Sequence, residues 1–229
     1  MLSIHAKKGS SLEHVAQVAD YPDESATQKP GRTDRPDRGS GAIEDYYSQN
    51  NGGTPSVWIG GGAHALGLEG LSVQREEMLA LLQGFHPVAG DALLQNAGPN
   101  RRYGYDLTFS APKSVSVTWA IADHELKDAI SAAHDTAVAA TLRHLECHLP
   151  IARRGHAGES RETARILAGV YRHASSREQD PQLHSHALLM NLAQRQDRSW
   201  GAIESWEIYR HKMALGALYR ALLPTSSGN

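Results

Sequence analysis

Two apolar runs of strand character, "TARILAGVYRHAS" and "QLHSHALLMNLAQ", are separated only by the polar turn "SREQDP". So short a connection joins antiparallel neighbours, because parallel strands need a crossover of a dozen or more residues. The chain thus contains a hairpin, and the hairpin carries histidine. Side chains two apart on a strand share a face, which sets His184 and His186 side by side, and the partner strand can bring His173 opposite them. Three neutral imidazoles on one side of a divalent ion leave its other positions open, the arrangement of a catalytic rather than an enclosed structural site. A lone HxH is more often a pair of half-exposed strand histidines; the third histidine shifts the balance towards a metal. The single cysteine, Cys147, excludes an intramolecular disulfide framework and a CxxC zinc ribbon, so a metal site among the 13 histidines uses nitrogen and oxygen ligands. A cupin-type barrel also carries HxH on a strand, but its further ligands follow the motif. Here the third histidine precedes it, and a long helical pattern precedes the hairpin.

With 229 residues, 40% of them hydrophobic, the chain can bury one good core, and one domain over 1–223 is expected. Residues 22–42, dense in Pro, Gly, Ser and charge, predict a flexible insert, and residues 224–229 a disordered tail. A helical pattern runs from Leu68 to Leu82, with Ser72 as its cap and Arg75, Glu76 and Glu77 on the wet face. Tyr105, Leu107 and Phe109 alternate with Asp106 and Thr108 as in a strand, which Ala111-Pro112 ends. Asp106 in that apolar run either fixes the tautomer of a metal-bound histidine or is an edge-strand charge facing water. "DHELKDAISAAHDTAVAATLRHLECHL" predicts a long helix with Leu126, Ile130, Ala133, Ala137 and Ala140 along its buried face, and "AIESWEIYRHKMALGALYRALL" predicts a last one. A formal charge of −2 excludes a globally basic nucleic-acid binder, so any such binding would be local; Arg101, Arg102, Lys113, Arg153 and Arg154 are candidate groups, although scattered surface cations are individually the commoner case. No signal peptide or membrane-spanning run is present, and a soluble, cytoplasmic protein is expected.

"EDYYSQNNGG" places Tyr46 and Tyr47 beside a turn-rich stretch. Adjacent tyrosines are usually ordinary surface or core residues. Beside a three-histidine metal they acquire a chemistry: a phenol with a pKa of about 10 attacks phosphorus only with help from a base or from an ion that also neutralises phosphate charge.

With these residues in place, the sequence resembles the N-terminal relaxase domain of MobF-type conjugative relaxases, the TrwC/TraI group of HUH endonucleases. "YGYDLTFSAPKSVSV" is similar to the acidic motif of the group, "HASSREQDPQLHSHALLMN" to its three-histidine motif and "EDYYSQNNGGTPSVWIGGGAHALGL" to its tyrosine motif. The resemblance implies an α+β fold in which helices flank a five-stranded antiparallel sheet whose central strands are the histidine hairpin. It implies a metal-dependent DNA relaxase that nicks one strand at a plasmid origin of transfer by tyrosine transesterification, leaving a 5′-phosphotyrosyl strand and a free 3′-OH. His173, His184 and His186 would bind Mg²⁺ or Mn²⁺, and Asp106 would act as base or orient a metal histidine. The nucleophile would be Tyr21, Tyr46 or Tyr47, since the group carries an earlier tyrosine whose counterpart here is the single Tyr21, followed by Pro22. Lys113 and Arg177 would contact DNA, although a solvated arginine in the turn is an equal reading of Arg177. The implied partners are single-stranded DNA at the origin of transfer and relaxosome accessory proteins, met by a monomer. The chain stops soon after its last helix and has no Walker motif, so the alternative is a truncated, catalytically impaired remnant that binds metal or single-stranded DNA. A metal enzyme acting on other substrates is a third reading.

Overall fold

In a computed structural model of the chain, residues 1–8, 56–98, 101–154, 159–175 and 180–223 are described. In chain order they form strand β1 (Leu2–Lys8), strand β2 (Ser56–Ile59), helices α1 (Gly61–Ala65) and α2 (Arg75–Gln83), and strand β3 (Arg102–Ser110). Helices α3 (Lys113–Ile121) and α4 (His124–His148) follow, then the short strands β4 (Ala152–Arg154) and β5 (Ser160–Glu162). The hairpin strands β6 (Arg165–Ser175) and β7 (Pro181–Gln194), the two-residue β8 (Trp200–Gly201), and helices α5 (Ser205–Arg210) and α6 (Lys212–Leu222) complete the order.

The main sheet is antiparallel in the order β1-β3-β7-β6-β2, with β8 paired to the far end of β7. The α+β class holds, and the expected five strands gain β8 as a sixth, while β4 and β5 form a separate ribbon. Both faces of β7 are apolar, which is why it lies in the middle. Leu183, Ala187, Leu189 and Ala193 join a core with Val138, Leu142 and Leu145 of α4 and Leu215 and Tyr219 of α6. Leu188, Met190 and Leu192 join a second core with Trp58 and with Met78, Leu81 and Leu82 of α2. Towards the hairpin turn this second face changes character, because the same period-2 positions are His186 and His184. Gly169 lets α2 approach the sheet: a Cβ there would meet Met78 Cε at 2.9 Å.

Several expectations need correction. The segment after Leu68 is not helical, because Trp58 N donates to Leu71 O and Gly70 N to Trp58 O, tying it back to β2. The helix therefore begins at Arg75 with Gln74, not Ser72, at its cap, and Glu77 accepts from Gln74 N at 3.4 Å and Trp58 Nε1 at 2.9 Å. On α4 only Ala137 of the five expected face residues is fully buried, and Leu126 is exposed. The buried stripe runs instead through Ser131, His134, Val138, Thr141, Leu142 and Leu145, polar residues being admitted because each has a hydrogen-bond partner. The last helical pattern breaks at His211 into α5 and α6. The expected insert at 22–42 and tail at 224–229 lie outside the described residues. Among the described residues, no helix is long and apolar enough to cross a membrane.

Candidate metal centre

The hairpin register places His173 directly opposite His184, and Tyr171 opposite His186. Side chains of directly opposed residues stand on one face, so all three imidazoles do. Their ring centroids form a nearly equilateral triangle, 5.1 Å for His173–His184, 5.2 Å for His173–His186 and 5.1 Å for His184–His186, with the rings steeply tilted to one another. One nitrogen from each lies within 4.8 Å of the other two.

The outer nitrogens are already committed. His184 Nδ1 donates to the carbonyl of Gln182 at 2.9 Å. His186 Nδ1 faces both carboxylate oxygens of Asp106, at 3.0 and 3.2 Å, and Thr108 Oγ1 at 3.2 Å. These bonds put the proton on Nδ1 of each ring and leave Nε2 with its lone pair turned inward. The third ring supplies the test of fit: His173 Nε2 is buried and has no hydrogen-bond partner among the described residues. Such an atom loses its water without compensation unless something else, such as an ion, takes its lone pair. Burial pushes the His173 imidazole down to about 3, with the positive fields of His184 and His186 adding to it, and burial also lowers His184. Three clustered imidazoles, two of them held through Nδ1 and two pushed towards the neutral form by burial, are the donor set of an N-ligated divalent cation with open positions.

Asp106 is 3% exposed on β3, which lies between β1 and β7, so the edge-strand reading fails. Its carboxylate is spent on His186, with Thr108 Oγ1 donating to Oδ1 at 3.5 Å. Thr108 escaped the sequence reading, although its place two residues from Asp106 puts it on the same face. Lys113 stands exposed at the start of α3, its Nζ donating to Pro181 O at 3.3 Å beside the hairpin turn. Arg101 is not a surface cation: it is 5% exposed and donates to the carbonyls of Leu82 and Asn191. Arg102 lies against the Tyr105 ring, while Arg153 and Arg154 pair with Glu204 and with Glu162 and Asp197. Tyr21, Tyr46, Tyr47 and Arg177 lie outside the described residues.

A main antiparallel sheet with helices on both faces, and a three-histidine cluster where one face turns polar, define an α+β protein built around a candidate metal centre. The TrwC relaxase family model matches residues 15–226. The multifunctional conjugation protein TraI of Escherichia coli (strain K12) is 35% identical over 204 residues, covering 81% of this chain and 11% of its own length. The chain thus spans about a tenth of the curated relatives it matches. The metal-bound structure of conjugative relaxase TrwC in complex with oriT DNA superposes with a TM-score of 0.72 at 34% identity, over 97% of this chain and 68% of that one. A copper-bound TrwC–oriT DNA complex gives 0.72 at 35%, over 97% and 68%. The chain belongs to the TrwC relaxase family.

Proposed function

We propose that the chain is a conjugative DNA relaxase, a metal-dependent transesterase that nicks one strand at an origin of transfer. The observation that carries the reading is the convergence of three imidazoles, one with a buried Nε2 that has no partner among the described residues, on a sheet like that of metal-bound TrwC in complex with oriT DNA. A Mg²⁺ or Mn²⁺ ion held by His173, His184 and His186 would neutralise and polarise a phosphate oxygen. The protein's own groups do the rest. Asp106 holds His186 in the ligating tautomer, and its commitment to that ring favours orientation over proton abstraction. Tyr21, Tyr46 or Tyr47 attacks the scissile phosphorus: the phenolic O–P bond forms, the P–O3′ bond breaks, the phenol loses its proton and the 3′-oxygen gains one. The phosphotyrosyl bond conserves the phosphoester, so a later 3′-OH can rejoin the strand. Lys113, whose Nζ reaches Pro181 O at the start of the second hairpin strand, and Arg177, between the two hairpin strands in sequence, would contact phosphates of single-stranded DNA. Relaxosome accessory proteins would present that strand to a monomeric enzyme in the cytoplasm.

The test is covalent capture. The protein, Mn²⁺ and single-stranded oligonucleotides tiled across its own origin of transfer should yield an SDS-stable adduct, and digestion should leave the DNA on a tyrosine peptide. An adduct that persists in the Tyr21→Phe, Tyr46→Phe, Tyr47→Phe triple variant would refute the assignment.

A further inference from the structure

On the face of β7 turned away from the imidazoles, Ser185 lies between the two histidine ligands in sequence and is wholly buried. Its Oγ is 2.8 Å from His134 Nε2 on α4, and His134 Nδ1 is 2.8 Å from Tyr219 OH on α6. All three residues are 0% exposed, and the His134 and Tyr219 rings meet edge to face, 5.7 Å apart. A neutral imidazole has one donor and one acceptor, so the two bonds run in the same sense along the chain: either Tyr219 O–H donates to Nδ1 and Nε2–H to Ser185 Oγ, or Ser185 O–H donates to Nε2 and Nδ1–H to the Tyr219 oxygen.

This arrangement is not what stability alone demands. Removing polar groups in pairs from a core and refilling the space with apolar groups of the same shape costs little, whereas each buried polar atom must be satisfied. Hydrogen bonds add what apolar packing does not, a fixed distance and direction at one point of the backbone. That point carries His184 on one side and His186 on the other. The strand is clamped again one residue before His184, where Leu183 N donates to Ser116 Oγ at 3.1 Å.

We propose that the Tyr219–His134–Ser185 hydrogen-bond chain is a positioning device for the metal centre, holding the HxH backbone from beneath so that the seating of α6 on the sheet sets metal affinity. The proposal rests on the metal-centre reading above. None of the three residues touches the ion or the substrate.

The test measures Mn²⁺ affinity by calorimetry on the full chain alongside melting in EDTA. Mn²⁺ is the probe because His144 and His148, exposed on α4 with ring centroids 4.4 Å apart, offer two more imidazoles to softer ions. Tyr219→Phe and Ser185→Ala should each weaken Mn²⁺ binding about three- to tenfold, less than loss of a direct partner of a ligand ring. The double variant should be no weaker than the worse single by more than about twofold, since the chain acts as one unit. Ile151→Ala is the packing control: wholly buried in the same core but on none of the elements that carry the hydrogen-bond chain, it should lower the melting temperature while leaving Mn²⁺ affinity within about twofold. Unchanged affinity in Tyr219→Phe and Ser185→Ala, whatever their stability, would overturn the proposal, as would an equal loss in Ile151→Ala. If the wild-type chain binds no Mn²⁺, the metal-centre reading itself fails and takes this one with it.

Discussion

Replacing Asp106 by Asn should move metal affinity and fold stability apart. The carboxylate is 3% exposed and addresses His186 Nδ1 with both oxygens, at 3.0 and 3.2 Å. An amide of the same shape keeps one acceptor but loses the negative charge, and in its other orientation presents NH₂ to Nδ1. That orientation drives the imidazole proton to Nε2 and removes the lone pair that should face the ion. Loss of such an outer partner costs metal sites about 10- to 100-fold in affinity, or about 1.4 to 2.7 kcal/mol. The metal-free protein gains instead, because a neutral amide no longer bears the desolvation cost of a buried carboxylate, and its melting temperature in EDTA should stay level or rise. Calorimetric titration with Mn²⁺ and thermal melts in EDTA read the two quantities separately. An affinity within twofold of wild type would refute the argument, as would an affinity loss matched by an equal loss of metal-free stability, which would mark Asp106 as a fold residue only.

Acid should destabilise the chain partly through His134. Burial, followed by the fields of Arg172 and His184, pushes its imidazole down to about 4 from an ordinary 6.5. The unfolded chain therefore binds the extra proton between those values, so this residue's share of stability is complete above about pH 6.5 and falls away towards about pH 4, to a total of about 3 kcal/mol. His134→Gln, which does not titrate, should show a flatter stability-against-pH curve across that window in urea unfolding; an unchanged slope would contradict the assignment. Gly60→Ala should cost at least about 3 kcal/mol and lower the melting temperature by roughly 6–12 °C. At φ +113° an alanine is strained, and its Cβ would sit 2.3 Å from Ile166 O; a melt within about 2 °C of wild type would show that the α1 entry does not need glycine.

The parts of the centre that could be read from sequence are those set by local spacing. A six-residue turn between two apolar runs fixes antiparallel neighbours, and period 2 fixes the common face of His184 and His186. The position of Asp106 inside the sheet was not legible, because it depends on β1 and β7 pairing with the two sides of β3, contacts separated by about a hundred and about eighty residues of chain. The face of α4 misled for a related reason. His134 counts as polar in a periodicity, yet Ser185 and Tyr219, one from a strand and one from a distant helix, satisfy both ring nitrogens and admit it to the core. The Ser72 cap failed because Leu71 and Gly70 bond back to Trp58, a tertiary pairing that overrides a favourable local signal.

The most direct test of the metal centre's role is adduct formation with and without the ion. Wild-type chain with single-stranded oligonucleotides from its origin of transfer should lose the phosphotyrosyl adduct on treatment with EDTA and regain it with Mn²⁺, whereas His184→Ala should form none at matched Mn²⁺. His64→Ala, which alters an exposed histidine paired with Glu69, should behave as wild type. An adduct that forms at the wild-type rate in EDTA, or in His184→Ala, would contradict the central claim that these three imidazoles assemble the reactive site.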